Sequence, residues 1–161
     1  MAKQIKIGSI ISPKVVTVKA DVLVSKALEV MEAKSVSSVI IVDEDVKPTG
    51  IFTEHDALRC IASEKVDSTS VRDVMSEGVL SVHLDENIHD AYAMMSARGY
   101  RHIVVVDDEG VLAGLATQGD FLRHIGLEQF VKLKLTKDVM NKSLVMIDVT
   151  FTLEAAAKII S

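Results

Sequence analysis

Gly50-Ile51-Phe52-Thr53-Glu54-His55-Asp56-Ala57-Leu58-Arg59 returns 64 residues later as Gly114-Leu115-Ala116-Thr117-Gln118-Gly119-Asp120-Phe121-Leu122-Arg123. The shared pattern is Gly-aliphatic-x-Thr-x-x-Asp-x-Leu-Arg. Working outward at the same offset, residues 7–61 lie over 71–125 without a gap, and 15 of the 55 pairs are identical. They include Ser12/Ser76, Val18/Val82, Asp21/Asp85, Ala27/Ala91, Met31/Met95, Val42/Val106 and Asp43/Asp107. Many other pairs exchange one aliphatic residue for another. A repeat of this length in a 161-residue chain is the first fact any fold must satisfy.

A third copy opens at an offset of 65, where Asp138-Val139-Met140 matches Asp73-Val74-Met75 and Leu144–Ile147 matches Val79–Val82. It stops at Ser161, inside its first helix. The expected division is repeat 1 over 1–64, repeat 2 over 65–130, and the start of a truncated third repeat over 131–161. On this reading the chain is a fragment of a longer protein.

Each repeat reads as β-α-β-β-α. A short extended segment comes first, Val15–Val18 or Val79–Val82. An amphipathic helix follows, with Asp21 or Asp85 as the expected N-cap. Its apolar face is Val24, Ala27, Leu28 and Met31 in one copy and Ile88, Ala91, Tyr92 and Met95 in the other. Next comes a near-continuous apolar strand, Val39–Val42 or Ile103–Val106, of the kind buried on both faces. A polar turn leads to a strand ending at Thr53 or Thr117, and a second helix runs to about Ile61 or Ile125. Residues 62–70 read as a polar linker. The fold class is mixed α+β.

Composition narrows the function. Hydrophobic residues make up 48% and charged residues 25%, which excludes a disordered chain. The 23 Val and 14 Ile suit strands. The longest apolar runs are too short to span a bilayer, and residues 1–6 carry no secretory stretch. A lone Cys60 has no internal disulfide partner, so the expected compartment is the cytoplasm. A net charge of −5 speaks against nucleic acid as a partner, and two Tyr, four Phe and no Trp leave little to stack on bases.

The chemistry concentrates in the repeated box. Thr53 ends a strand and opens a helix, so free backbone N–H groups suited to polar or anionic groups gather there. Asp56, one turn in, can accept both hydroxyls of a ribose diol, as an acidic residue does in dinucleotide folds. A Val/Ile sheet can hold a flat base without aromatics. Thr-x-x-Asp is equally a helix capping box, in which Thr caps and the acid reaches back. The two roles are compatible.

Set after an aliphatic strand and before a helix, twice in register, the pattern resembles the CBS domain, named after cystathionine β-synthase. The resemblance covers nearly the whole chain. It implies two repeats packed as a pseudo-twofold CBS pair that commonly dimerises. It also implies a regulatory ligand of adenosine type (AMP, ADP, ATP or S-adenosylmethionine) bound in the cleft between repeats, with no cofactor required and no catalysis. Carried over by position, a first cleft would combine Ile51, Thr53 and Asp56 with Met75, Leu80, Tyr100, Arg101 and His102. A second would combine Leu115, Thr117 and Asp120 with Ile11, Val16, Val36, Ser37 and Ser38. Arg101 and His102 would clamp phosphate. The phosphorylated ligand is therefore expected in the first cleft, and a nucleoside-like ligand, a weaker nucleotide or water in the second. The implied function is a non-catalytic sensor controlling an attached effector that lies outside this chain. The alternative is a structural dimerisation module without a ligand.

The remaining candidates are weaker. His55, His83, His89, His102 and His124 show no metal-ligand spacing. Cys60, between Arg59 and Ile61, reads as a packed small apolar residue. No nucleophile elbow, phosphate-binding loop or glycine-rich dinucleotide motif is present.

Overall fold

The structure, a computed structural model, describes residues 5–63, 65–125 and 144–160. Among the described residues two compact units form, one from 5–15, 44–48 and 78–125, the other from 16–43, 49–77 and 144–160.

The second of these holds the body of repeat 1. β1 (Thr17–Val18) pairs in parallel with β2 (Ser38–Val42), and β3 (Pro48–Thr53) lies between β2 and β4 (Ser76–Glu77). α1 (Val24–Lys34) and α2 (Glu54–Ala62) flank this sheet in sequence. Val39, Ile41, Phe52, Val24, Ala27, Met31, Ala57 and Cys60 make the core. Full burial of each Val or Ile contributes roughly 1.5–3 kcal/mol, which is why the Val39–Val42 run takes the central position. The other unit repeats the plan with β5 (Ser81–His83), α3 (Ile88–Ala97), β6 (His102–Val106), β7 (Leu112–Thr117) and α4 (Gln118–Ile125). β5 and β6 are parallel, and β6 and β7 antiparallel. Its core contains Ile88, Ala91, Met95, Ile103, Val105 and Phe121, with Tyr92 tilted against Phe121 at 5.5 Å between ring centroids.

The repeats are continuous in sequence, but the units are not. Each unit carries the body of one repeat and the lead-in of the other. Ile7 N donates to Glu86 O and Gly8 N to Leu84 O, while Val71 N donates to Val22 O and Arg72 N to Ala20 O. Every one of these contacts is its counterpart shifted by 64. Ser12 likewise bridges Leu115 as Ser76 pairs with Ile51.

Two local expectations are corrected. Asp21 and Asp85 do not cap their helices. α1 begins after Leu23, which makes no side-chain cap bond, and α3 begins after Asn87, whose side chain accepts from His89 N. The two aspartates lie two residues earlier, and Asp85 instead pairs with Lys6 at 2.5 Å. Leu144–Ile147 forms no strand. In both repeats the matching strand pairs in parallel with the core strand after the helix, and no such strand follows α5 (Leu153–Ile160, the last helix) among the described residues. α5 itself forms where the third copy's first helix was expected and packs on α2, burying Ala156 and Ala157. The Asp138-Val139-Met140 match lies outside the described residues.

The linker is polar but not loose. Val66 is half-buried, its carbonyl accepts from Ser25 N, and Ser70 Oγ donates to Ala20 O. Among the described residues no helix is long and apolar enough to cross a membrane.

Candidate functional site: two threonine–aspartate boxes

At the end of β3 the chain turns into α2, and Thr53 is the N-cap. Asp56 Oδ2 accepts from Thr53 N at 2.9 Å and from the Thr53 hydroxyl at 2.8 Å. The return bond, Asp56 N to Thr53 Oγ1, is long at 3.5 Å. Asp56 is the buried charged residue of the described chain, with 4% of its surface exposed. Its other oxygen, Oδ1, takes no hydrogen bond among the described residues. Since no fully buried polar side-chain atom lacks a partner there, Oδ1 keeps contact with solvent.

The second box repeats the geometry at the start of α4. Asp120 Oδ2 accepts from Thr117 N at 2.8 Å and from the Thr117 hydroxyl at 2.7 Å. Asp120 is less buried, and its Oδ1 accepts from the guanidinium of Arg123. Partial burial works against its ionisation, but the bonds from Thr117 and the Arg123 charge outweigh it and hold the carboxyl below its usual range.

Within each unit the box stands beside the start of its own repeat's core strand. Glu54 N donates to Ser37 O, and Gln118 N to Arg101 O. His102 lies opposite Thr117 in the β6–β7 register. Burial, helped by the neighbouring Arg101 charge, pushes the His102 imidazole below its usual value. It is therefore neutral at pH 7 and offers a hydrogen-bond donor rather than a cation. Arg101 and Tyr100 are exposed. Val36 and Ser37 line an open depression of about 470 Å³ with Met31, Glu32, Ser35 and Glu54. Ser38 is half-buried at the start of β2.

The early-strand residues pack within their own units. Leu80 is buried, and its carbonyl accepts from Val104 N, as Val16 O accepts from Ile40 N. Met75 and Ile11 are half-buried over the box glycines: a Cβ on Gly50 would meet Met75 Sδ at 2.5 Å, and one on Gly114 would meet Ile11 Cδ1 at 2.5 Å. This explains why both copies of the repeated pattern begin with glycine. Ile51 and Leu115, next along, are half-buried and face the lead-in strands in register. Cys60 is buried, and burial pushes its thiol up. Among the described residues no group of three or more metal-ligating side chains gathers.

Tandem β-α-β-β-α bodies with exchanged lead-ins, each closed by a Thr-x-x-Asp box, define a tandem-repeat mixed α+β fold. The chain belongs to the CBS domain family, which matches residues 7–63 and 71–127. It is 36% identical over 95 residues to an uncharacterized protein of Methanopyrus kandleri, covering 58% of this chain and 48% of that one. It therefore spans about half the length of that relative. It is 31% identical over 119 residues to inosine-5′-monophosphate dehydrogenase of Methanocaldococcus jannaschii, covering 74% of this chain but 23% of the dehydrogenase. Among solved structures it resembles the CBS domain pair of protein MJ0100 in complex with 5′-methylthioadenosine and S-adenosyl-L-methionine. The TM-score is 0.69 at 25% identity, over 78% of this chain and 98% of that one. It also resembles CBSX2 in complex with AMP, from Arabidopsis thaliana, with a TM-score of 0.65 at 26% identity over 74% of this chain and 95% of that one.

Proposed function

We propose that this chain is a non-catalytic sensor of an adenosine-type nucleotide, and that Asp56 and Asp120 receive the ribose diol. The observation that carries the reading is Asp56 Oδ1. A carboxylate oxygen held in place by its twin's two bonds, free of protein donors and still touched by solvent in a nearly buried residue, is a prepared acceptor. The ligands in the related structures, 5′-methylthioadenosine, S-adenosyl-L-methionine and AMP, share an adenosine ribose. Arg101 and neutral His102 supply donors for phosphate. The sensor acts in the cytoplasm as a homodimer, for which the exposed Leu122 and Met94 offer apolar surface. A nucleotide that binds one arrangement of the chain more tightly shifts the population, and an attached effector responds to that shift.

Calorimetric titration of the purified chain with adenosine, AMP, ATP and S-adenosylmethionine tests this. Binding of at least one, lost in Asp56→Ala with the fold retained, is expected. Absence of binding by all four favours the second reading, a structural dimerisation module, which the completed Thr53–Asp56 capping box supports. Sedimentation equilibrium reports the dimer in either case.

A further inference from the structure

Asp56 and Asp120 hold the same place in the two boxes, and each gives Oδ2 to its threonine's amide and hydroxyl. Their other oxygens differ. Asp120 Oδ1 is taken by Arg123, three residues on along α4. Arg59 holds the matching position on α2, yet it makes no ion pair among the described residues. Burial accounts for the difference: Asp56 is almost sealed, whereas the Asp120 side chain keeps 17% of its surface and Arg123 keeps 70%.

A diol arriving at Asp120 has to use Oδ1, because Oδ2 already accepts two hydrogen bonds. It therefore displaces the guanidinium. An exposed ion pair of this kind is weak enough to give way. The displaced cation then needs a new acceptor. A neutral nucleoside offers it no anionic one, whereas a phosphoryl group presents several anionic oxygens that the planar guanidinium can engage two at a time.

We propose that Arg123 is the specificity residue of the Asp120 box: it holds Oδ1 against uncharged nucleosides and turns to the phosphate of a nucleotide that displaces it. The Asp120 box then discriminates AMP from adenosine more steeply than the Asp56 box does. This rests on the nucleotide reading above, and it sharpens the expectation that the group around Asp120 holds a nucleoside-like ligand, a weaker nucleotide or water.

The test is calorimetric titration of the full chain carrying Asp56→Asn, which leaves the Asp120 box, with adenosine and with AMP, before and after adding Arg123→Gln. Adenosine is expected to tighten about two- to fivefold, and AMP to weaken about three- to tenfold. Unchanged or weakened adenosine binding, or an unchanged ratio of the two affinities, overturns the proposal while leaving the nucleotide reading intact. So does an equal gain for adenosine from Arg59→Gln in a chain carrying Asp120→Asn. Failure of the unaltered chain to bind either ligand overturns both. If Asp56→Asn does not fold, the Gly119 amide signal, beside Asp120, followed by NMR in the unaltered and Arg123→Gln chains reports the same two affinities.

Discussion

Val46 and Gly110, 64 residues apart, take the same left-handed turn position, at φ 62° and 78°. Repeat 2 fills it with the one residue that has no Cβ to strain. Repeat 1 fills it with a β-branched residue, for which this region is a marked outlier. Val46 is also 45% exposed, so its side chain returns little by burial. Val46→Gly is expected to stabilise the chain by about 0.5–1.5 kcal/mol, the relieved strain exceeding the added freedom of the unfolded glycine. A raised thermal midpoint checks it. A lowered one means that Val46 is held by more than its backbone.

The two box glycines differ in what a methyl group would meet. On Gly50 the obstacle is the flexible side chain of Met75; on Gly114 it is Ile11 together with the Ser12 carbonyl at 2.9 Å, a backbone atom in a paired segment. Gly114→Ala should therefore cost about 1–3 kcal/mol, and Gly50→Ala clearly less, since methionine readjusts. Parallel urea melts decide it, and equal losses would contradict the packing described.

Asp56 both completes a capping box and presents Oδ1. Asp56→Ala should lower stability by about 1 kcal/mol through the lost cap and weaken adenosine-nucleotide binding about tenfold or more. Titration and melting of the same variant separate the roles. Lost stability with unchanged affinity would leave only the cap.

His102 ties stability and binding to pH. Its folded-state value lies below the usual one, so as pH falls the unfolded chain takes up its proton first. Stability from this group is present above about pH 6.5 and declines as pH drops below it, levelling off once folded His102 also protonates. His102→Ser, which installs the residue of the matching position Ser38, should flatten that decline in melts between pH 7.5 and 5. If phosphate meets this imidazole, AMP affinity should rise toward pH 6 while adenosine affinity does not. Arg101→Ala should weaken AMP and spare adenosine. Equal losses for the two ligands would remove Arg101 from the phosphate site.

The sequence by itself determined the repeat, the order of elements and the two boxes. All three depend on contacts between near neighbours in the chain. Helical spacing buries Val24, Ala27 and Met31 together, an unbroken aliphatic run makes β2 and β6, and Thr-x-x-Asp closes a box within one turn. Tertiary structure decided what separated segments share. The lead-ins cross between units because a strand edge and a helix start elsewhere offer hydrogen bonds that local residues cannot. Met75 and Ile11, assigned to the clefts by the family resemblance, fill the spaces above Gly50 and Gly114. Asp56 and Asp120 hold the same position in the repeated pattern, yet one is nearly buried with a single oxygen unpaired while the other is held by Arg123. Burial depth made that difference, and it is set by the packing of the whole unit rather than by any motif.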